Sequence, residues 1–311
     1  IANMNWASGQ LIASIDQFIL SHGYGCQALL VPGDTVPTFT SMKSKQTPDV
    51  APELWYSNIP AAKQAIKTGQ LVALGDGPFS GAGDGWYTTS YTLKKHPNLK
   101  TVMNFIQHPE YFPYKEDPSK GAFVTCPAGW GCQIQNKNLF SALKMKEKGW
   151  KLVNPGSAAG LNGSIAKAVQ SKKAWFGYYW VPTALVNKYN LKKIDFGIPY
   201  AGDNHWKNCI STAEPSQQCQ NVPPSSFPES EIYTTITAKF NTTAHQGPIK
   251  YLAKRKISTA VANQMLAYME DEQATGHDAA IHFLKTNESL WSKWVSHTAF
   301  EKIQRTLKKI R

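Results

Sequence analysis

The sequence predicts an α/β protein built from two lobes. Its 311 residues are enough for two ordinary domains, and a composition of 42% hydrophobic and 17% charged residues is typical of a globular chain. Apolar runs of strand length alternate with segments whose apolar residues recur at helical spacing. No apolar run approaches the roughly 20 residues that a membrane span requires.

The first series of elements opens with a helix. Apolar residues recur at helical spacing from Leu11 to Ile19, and Ser8 is the expected N-cap. The apolar run 26–31 (CQALLV) predicts a strand. The same reasoning predicts a helix at 61–67, a strand at 70–74 and a helix at 90–96.

A second series follows a predicted strand at 122–125, which runs into the tight loop 126–132 (CPAGWGC). Its further elements are predicted at 140–148 (helix), 150–153 (strand), 157–170 (helix) and 174–180 (an aromatic strand). A long Asn-, Ser- and Pro-rich loop is expected over 199–228. After it come a predicted strand from Ile232 and helices at 249–252, 258–268, 278–284 and 287–295, with a basic, exposed closing helix at the tail. We therefore expect lobe 1 to comprise 1–97 and 230–311, and lobe 2 to comprise 98–229, including a disulfide-containing loop near 203–228.

The five cysteines indicate an oxidising compartment. Cys126 and Cys132 can close one small loop and Cys209 and Cys219 another, which leaves Cys26 as a buried, free thiol. Connectivity does not follow from sequence alone. A zinc site would need CxxC pairs or nearby histidines, and the chain has no CxxC; His205 near Cys209 is a lone candidate, so we expect no metal.

The formal charge of +12 raises the question of a nucleic-acid partner or an anionic membrane. The lysines are scattered, and none interleaves with aromatic residues in a nucleic-acid-binding motif. A solvated surface explains them, and we expect no nucleic-acid partner. The sequence opens at Ile1 without a leader, so we expect a removed signal peptide and a periplasmic or otherwise extracytoplasmic protein.

Tryptophan is abundant, with ten residues, and several lie at predicted element junctions. They are Trp6, Trp55, Trp86, Trp130 and Trp180. In open α/β sheets a ligand lies beyond the carboxyl ends of the strands, where such junctions meet. Indole faces attract ammonium and sulfonium groups. The set therefore predicts an aromatic cage for a methylated cation, although any single tryptophan could equally be an ordinary core residue.

Five segments resemble the glycine betaine and proline betaine binding proteins of ABC importers. They are 53–55 (ELW), 85–87 (GWY), 126–132 (CPAGWGC), 155–161 (PGSAAGL) and 175–182 (WFGYYWVP). The resemblance spans most of the chain. It implies the two-lobe type II periplasmic-binding-protein fold, a ligand cleft between hinged lobes, and the membrane permease subunits of an importer as partners.

By this resemblance, Trp55, Trp130 and Trp180 form a three-walled box for the quaternary ammonium, and the backbone N–H groups of Gly131 and Cys132 donate to the ligand's carboxylate. The family's histidine four residues after the first box tryptophan is Ile59 here. Another polar contact is therefore expected, with Tyr87, Tyr56, Asn58 and His205 as candidates. Similar binders of trimethylamine N-oxide or dimethylsulfoniopropionate use extra tryptophans, and Trp6 and Trp86 are available for that role.

Several alternatives stay open at this point. Choline, carnitine or trimethylamine N-oxide could replace a betaine as ligand, with Asp84 and Glu53 as acidic partners. An amino acid or polyamine is disfavoured because all three arginines lie near the C-terminus, where they cannot form the usual carboxylate fork. The sequence lacks HExxH, GxSxG, GxxxxGK and strand-linked GxGxxG motifs, so we expect neither an enzyme nor a cofactor.

Overall fold

A computed structural model describes residues 1–215, 219 and 224–310. The strands of this part are β1 (Ala2–Met4), β2 (Val31–Gly33), β3 (Val50–Trp55), β4 (Leu71–Leu74), β5 (Phe79–Ser80), β6 (Gly83–Thr88), β7 (Gly121–Val124), β8 (Trp150–Val153), β9 (Phe176–Val181), β10 (Lys192–Lys193), β11 (Ile232–Thr237) and β12 (Ile257–Ser258). The α-helices are α1 (Ala7–Tyr24), α2 (Thr35–Lys45), α3 (Pro60–Lys67), α4 (Ser90–Lys95), α5 (Val102–Phe105), α6 (Gly131–Ala142), α7 (Ala158–Gln170), α8 (Ala184–Lys188), α9 (Asp203–His205), α10 (Gln246–Lys254), α11 (Thr259–Asp271), α12 (Gly276–Thr286), α13 (Glu288–Trp291) and α14 (His297–Leu307). No described helix is both long enough and apolar enough to span a membrane.

Lobe 1 carries a three-stranded antiparallel sheet in the order β3-β11-β4. The register of β11 against β3 shifts between Tyr233 and Thr235, and the Thr234 hydroxyl donates to the carbonyl of Pro52 at 3.0 Å. Helix α1 is buried along most of its length and packs against α12 and α14. These contacts make α1 the central helix of the lobe and fix the position of its N-terminus.

Lobe 2 carries a five-stranded mixed sheet in the order β10-β6-β9-β7-β8. Strand β6 runs antiparallel to β9, whereas β7 is parallel to both β8 and β9. The sheet covers an aromatic core in which the Trp86 ring lies 4.3 Å from that of Phe123 and 5.0 Å from that of Phe196. Large aromatic side chains thus fill the core that lies against this sheet.

The sheet pairing bears on where the lobes divide. The predicted division at 97 would separate β6 from the five-stranded sheet to which it is hydrogen-bonded. We therefore propose that the chain first crosses between β5, which pairs with β12 of lobe 1, and β6. The predicted return near 230 falls just before β11 of the lobe 1 sheet.

Several predicted elements differ from the structure. Ser8 does not cap α1, because its hydroxyl donates to Glu53 and Trp6 occupies the N-cap position. The strand predicted at 26–31 is wrong for all but its last residue, because β2 begins only at Val31, and the helix predicted at 140–148 is instead α6, which begins at Gly131 and ends at Ala142. The closing helix α14 is amphipathic and not simply exposed, since three of its apolar side chains are buried. Part of the loop predicted at 203–228 forms α9 and a short π-helix at Trp206–Ile210, while 216–218 and 220–223 lie outside the described residues.

Candidate functional site

An aromatic cavity lies where the two lobes meet. It is lined by Trp6, Thr35, Trp55, Asn58, Trp130, Cys132, Tyr178 and Trp180. Trp6 precedes α1 and Trp55 ends β3, so both come from lobe 1. Trp130 precedes α6 and Trp180 lies near the end of β9, so both come from lobe 2. Element junctions of both lobes therefore supply the walls.

The tryptophan rings meet edge to face. The Trp130 ring lies 5.1 Å from the Trp6 ring at an interplanar angle of 73°, and 5.1 Å from the Trp180 ring at 85°. Tyr178 stands two residues before Trp180 on the same face of β9, and the two rings stack at 6.3 Å. Edge-to-face contacts stabilise aromatic pairs, so each ring helps to hold the next in place.

Hydrogen bonds fix three of these indoles from outside the cavity. Trp6 and Trp55 donate their Nε1–H groups to the same atom, Glu53 Oε1, at 2.8 and 2.9 Å. Trp130 donates its Nε1–H to Asn5 Oδ1 at 2.7 Å. Because these polar edges are engaged elsewhere, the rings contribute apolar and π surface to the cavity. That surface suits a methylated cation, which has no strong donor of its own.

Glu53 is the buried carboxylate that supports this arrangement. It is fully buried on β3, and its Oε1 atom also accepts a hydrogen bond from the Ser8 hydroxyl at 3.1 Å. Desolvation by burial outweighs the three hydrogen bonds and raises the pKa of Glu53 to about 7. Its second oxygen, Oε2, has no hydrogen-bond partner among the described residues.

The loop at 126–132 joins the cavity through the start of α6. Cys126 and Cys132 form a disulfide, and Gly131 and Cys132 are the first two residues of the helix. Their N–H groups have no intrahelical partner, since the first turn of a helix lacks acceptors, and a helix N-terminus favours an anion. A Cβ atom built on Gly131 would lie only 2.5 Å from the Asn58 carbonyl oxygen. Glycine therefore permits the close approach of the lobes at this point.

Two buried polar side chains line the cavity. Asn58 is 8% exposed, and its Oδ1 atom has no hydrogen-bond partner within the described chain. Thr35 begins α2 and is also buried. Sequence reasoning named Asn58 but missed Thr35 and Tyr178. The Tyr178 hydroxyl donates to Asp84 Oδ2 at 3.0 Å, behind the cavity.

Four of the sequence candidates lie away from this cavity. Trp86 is fully buried in the lobe 2 core and donates to Asn136 Oδ1 at 2.8 Å. Tyr87 packs edge to face on Tyr179 at 6.2 Å, and burial raises its pKa.

Tyr56 bonds to the Thr235 hydroxyl at 2.8 Å and faces a different cavity. His205 lies on α9 beside that second cavity, and desolvation lowers its pKa. The large aromatic residues that line the site and those that fill the core follow the same sequence pattern, so only tertiary packing separates them.

Ile59 also lies outside the cavity lining. Its side chain is 6% exposed and belongs to the hydrophobic cluster around Leu54 and Trp55. The position that would carry a histidine by resemblance is thus occupied by a core residue here.

Both predicted disulfides are present, since Cys209 is bonded to Cys219 as Cys126 is to Cys132. Cys26 is a free thiol as expected, but it is half-buried and not buried, because it lies beyond the end of α1 at the edge of the lobe 1 core. Among residues 1–215, 219 and 224–310, no group of three or more His, Cys, Asp or Glu side chains could hold a metal ion.

Side chains of both lobes also meet outside the cavity. The Trp206 Nε1–H and the Gln135 side-chain amide of lobe 2 both donate to the carbonyl of Ser57 in lobe 1, at 3.0 and 2.9 Å. Lys188 at the end of α8 pairs with Glu270 on α11 at 2.8 Å. These contacts join the two lobes beside the aromatic cavity.

Comparison with known proteins identifies the fold and the family. No curated protein sequence matches the chain. Among solved structures, it is similar to an ABC-transporter choline binding protein in complex with choline (15% identity, 99% of this chain and 97% of that chain, TM-score 0.76). It is also similar to a glycine betaine/L-proline-binding protein, ProX, from Borrelia burgdorferi (14% identity, 97% and 98%, TM-score 0.74) and to lactococcal OpuAC in its closed, liganded conformation with glycine betaine (18% identity, 95% and 98%, TM-score 0.66). These similarities confirm the predicted two-lobe α/β fold.

The family follows from the sequence itself. Residues 1–286 match the family model described as the substrate binding domain of ABC-type glycine betaine transport systems. Because this match covers most of the chain, the protein is a transport substrate-binding protein and not an enzyme. The chain belongs to the OpuAC family of substrate-binding domains of ABC-type glycine betaine transport systems.

Proposed function

We propose that this protein is the extracytoplasmic, periplasmic binding component of an ABC importer and captures a small methylated cation. The head group is held against Trp6, Trp55, Trp130 and Trp180, with Tyr178 completing the wall. The single observation that carries the proposal is the convergence of these five rings on one cavity between the lobes. The closed protein would then dock on the permease subunits and release the ligand to them.

The lining of the cavity favours this ligand class. No lysine, arginine, aspartate or glutamate is among the described residues that line it. An amino acid would lack the arginine fork and the acidic partner that it usually needs. A quaternary ammonium or dimethylsulfonium group needs only aromatic faces.

The polar end of the ligand is proposed to lie at the start of α6. The backbone N–H groups of Gly131 and Cys132 would bind a carboxylate or hydroxyl, with Asn58 as a neighbouring side-chain partner. A betaine-like compound, including dimethylsulfoniopropionate, and a choline-like compound both fit this description. Two of the similar structures contain choline and glycine betaine, which belong to these same two groups.

Titration calorimetry with a panel of ligands tests the proposal. The panel comprises glycine betaine, proline betaine, choline, carnitine, trimethylamine N-oxide and dimethylsulfoniopropionate, with leucine and putrescine as controls. We expect at least one methylated cation to bind and both controls to fail. Binding of leucine or putrescine together with failure of every methylated compound would refute the proposed function.

A further inference from the structure

Glu53 lies directly behind the aromatic cage and does not line the cavity. Its side chain is fully buried on β3, and three donors converge on its Oε1 atom: the indoles of Trp6 and Trp55 and the hydroxyl of Ser8. Burying a carboxylate is costly unless it is paired and fully hydrogen-bonded. Here Oε2 has no hydrogen-bond partner among the described residues, so part of the desolvation free energy of the carboxylate is not offset.

No described lysine or arginine pairs with Glu53. The cation that acts on it electrostatically is Arg255, which is already engaged by Asp16 through bonds of 2.7 and 2.9 Å. The Glu53 charge is therefore left largely uncompensated within the protein. Glu53 is thus a buried carboxylate without a paired cation, and it accepts hydrogen bonds from two indoles of the cavity wall. This position suggests that its charge acts on a ligand bound in the cavity.

We propose that Glu53 is the counter-charge of the aromatic cage, a positioning residue that fixes the indoles of Trp6 and Trp55 and stabilises a cation bound against their faces. This inference rests on the proposed function and adds the residue that makes the site selective for charge. The ligand class is a methylated ammonium or sulfonium cation, in preference to an uncharged compound of the same shape.

The physical basis is polarisation and direct attraction. An indole N–H that donates to a carboxylate belongs to a hydrogen-bonded chain in which each member polarises the next, which increases the negative character of the ring face. The low dielectric of the buried site also strengthens the direct attraction between the carboxylate and a cation beyond the ring. Asp84 has the same relation to Tyr178, whose hydroxyl donates to it at 3.0 Å.

This arrangement links binding to pH near neutrality. Burial raises the pKa of Glu53 to about 7, so an appreciable fraction of the ligand-free protein carries the proton there at neutral pH. A bound cation favours the ionised carboxylate and so lowers its pKa. Cation affinity should therefore rise as the pH increases through about 7, and binding at pH 7 should release protons.

Other titratable groups surround this strand, which packs against α1, α2, β1 and β11. Those elements and their caps carry Asp16, His22 and Tyr24, Asp34, Lys43 and Lys45, the amino group of Ile1, and Tyr233. Burial raises the pKa values of Asp16 and Asp34 and lowers that of the Ile1 amino group, so all three move toward neutrality. Variants must therefore separate Glu53 from these groups.

The test uses choline or glycine betaine, whichever binds the wild type more tightly, with the tert-butyl isostere that replaces its cationic head group by a neutral one. The isosteres are 3,3-dimethylbutan-1-ol for choline and 3,3-dimethylbutanoate for glycine betaine. Calorimetry at pH 5.5 and 8.5 should show the cation binding about threefold to tenfold more tightly at the higher pH, while the isostere shows no such gain. At pH 7, titrations in buffers of different ionisation enthalpy should report proton release on cation binding.

Variants assign the effect to Glu53. Glu53→Gln should abolish the proton release and the pH dependence, whereas Asp34→Asn should retain both. Ser8→Ala keeps the Glu53 carboxylate but removes one hydrogen bond that stabilises its charged form. The midpoint of the pH profile of this variant should therefore lie at higher pH than that of the wild type. This variant keeps the inference testable if Glu53→Gln does not fold.

The outcomes separate this inference from the proposed function. Failure of every methylated cation to bind would remove the proposed function and the inference together. A cation that binds without pH dependence and without proton release would overturn the inference alone. Parallel pH dependence for the cation and its isostere would also overturn it, because it would show that Glu53 only holds the rings in place.

Discussion

Substituting alanine for Gly131 tests whether the closed contact between the lobes is needed for binding. The new Cβ atom would lie 2.5 Å from the Asn58 carbonyl oxygen and 2.7 Å from the Asn58 Cβ atom, where separations under 3.0 Å are essentially never found. The carbonyl is backbone, so the lobes must separate by several tenths of an ångström. Overpacking of this kind costs about 1 to 3 kcal/mol.

The substitution should weaken ligand binding and leave the folding stability of the ligand-free protein nearly unchanged. Gly131 belongs to lobe 2 and Asn58 to lobe 1, so opening the cleft relieves the overlap while each lobe keeps its own core. We therefore expect the dissociation constant of the best-bound methylated cation to rise about 5- to 150-fold, with little change in the Tm of the ligand-free protein. Gly163→Ala is the matched control, because it also lies in a helix and its added Cβ would meet nothing within 4 Å. Wild-type affinity in Gly131→Ala would refute the reasoning that ligand binding uses this closed contact.

Three further substitutions probe the cage and its supports. Trp130→Ala should weaken cation binding by about 1 to 3 kcal/mol in calorimetry, because it removes one cation–π wall and its buried area; unchanged affinity would make Trp130 a packing residue only. Ile59→His should lower the free energy of unfolding by about 1 to 3 kcal/mol in denaturant titrations without tightening glycine betaine binding, since this buried position does not line the cavity. A gain in betaine affinity would contradict that placement. Replacing the Cys126–Cys132 pair by alanines should cost about 2 kcal/mol of stability and weaken binding, whereas replacing Cys209–Cys219 should leave affinity unchanged; equal effects on affinity would count against a preorganised cage loop.

Much of the fold follows from apolar periodicity. Helix α7 and strand β8 lie where the sequence predicts them, because their apolar residues keep one spacing throughout. Strand β3 was not predicted, since Pro52 and Glu53 interrupt its apolar pattern. Both are accommodated by tertiary contacts: the Thr234 hydroxyl reaches the Pro52 carbonyl, and three donors reach Glu53.

The sequence indicates that tryptophans line the proposed site, but it does not indicate which tryptophans line the cavity and which lie in the core. Trp6 and Trp86 have the same kind of position in the sequence, each at a predicted junction. Strand β6 pairs with β9 and places Trp86 in the lobe 2 core. Trp6 instead meets Trp130 across the cleft. Such a difference depends on pairing between distant strands, which local spacing does not encode.

Because the proposed cage is divided between the two lobes, a cation would gain most of its binding free energy only when the lobes close around it. Lobe 1 supplies Trp6 and Trp55, both held by Glu53, and lobe 2 supplies Trp130, Tyr178 and Trp180. A cation that first meets the open lobe 1 would gain only two exposed faces, worth about 0.5 to 1 kcal/mol each. Closure adds the other rings and removes water, which raises the contribution of each face to about 2 kcal/mol. An uncharged compound of the same shape would gain apolar contact but not the added cation–π stabilisation. In the proposed site, selection for charge would therefore take place largely at the closing step.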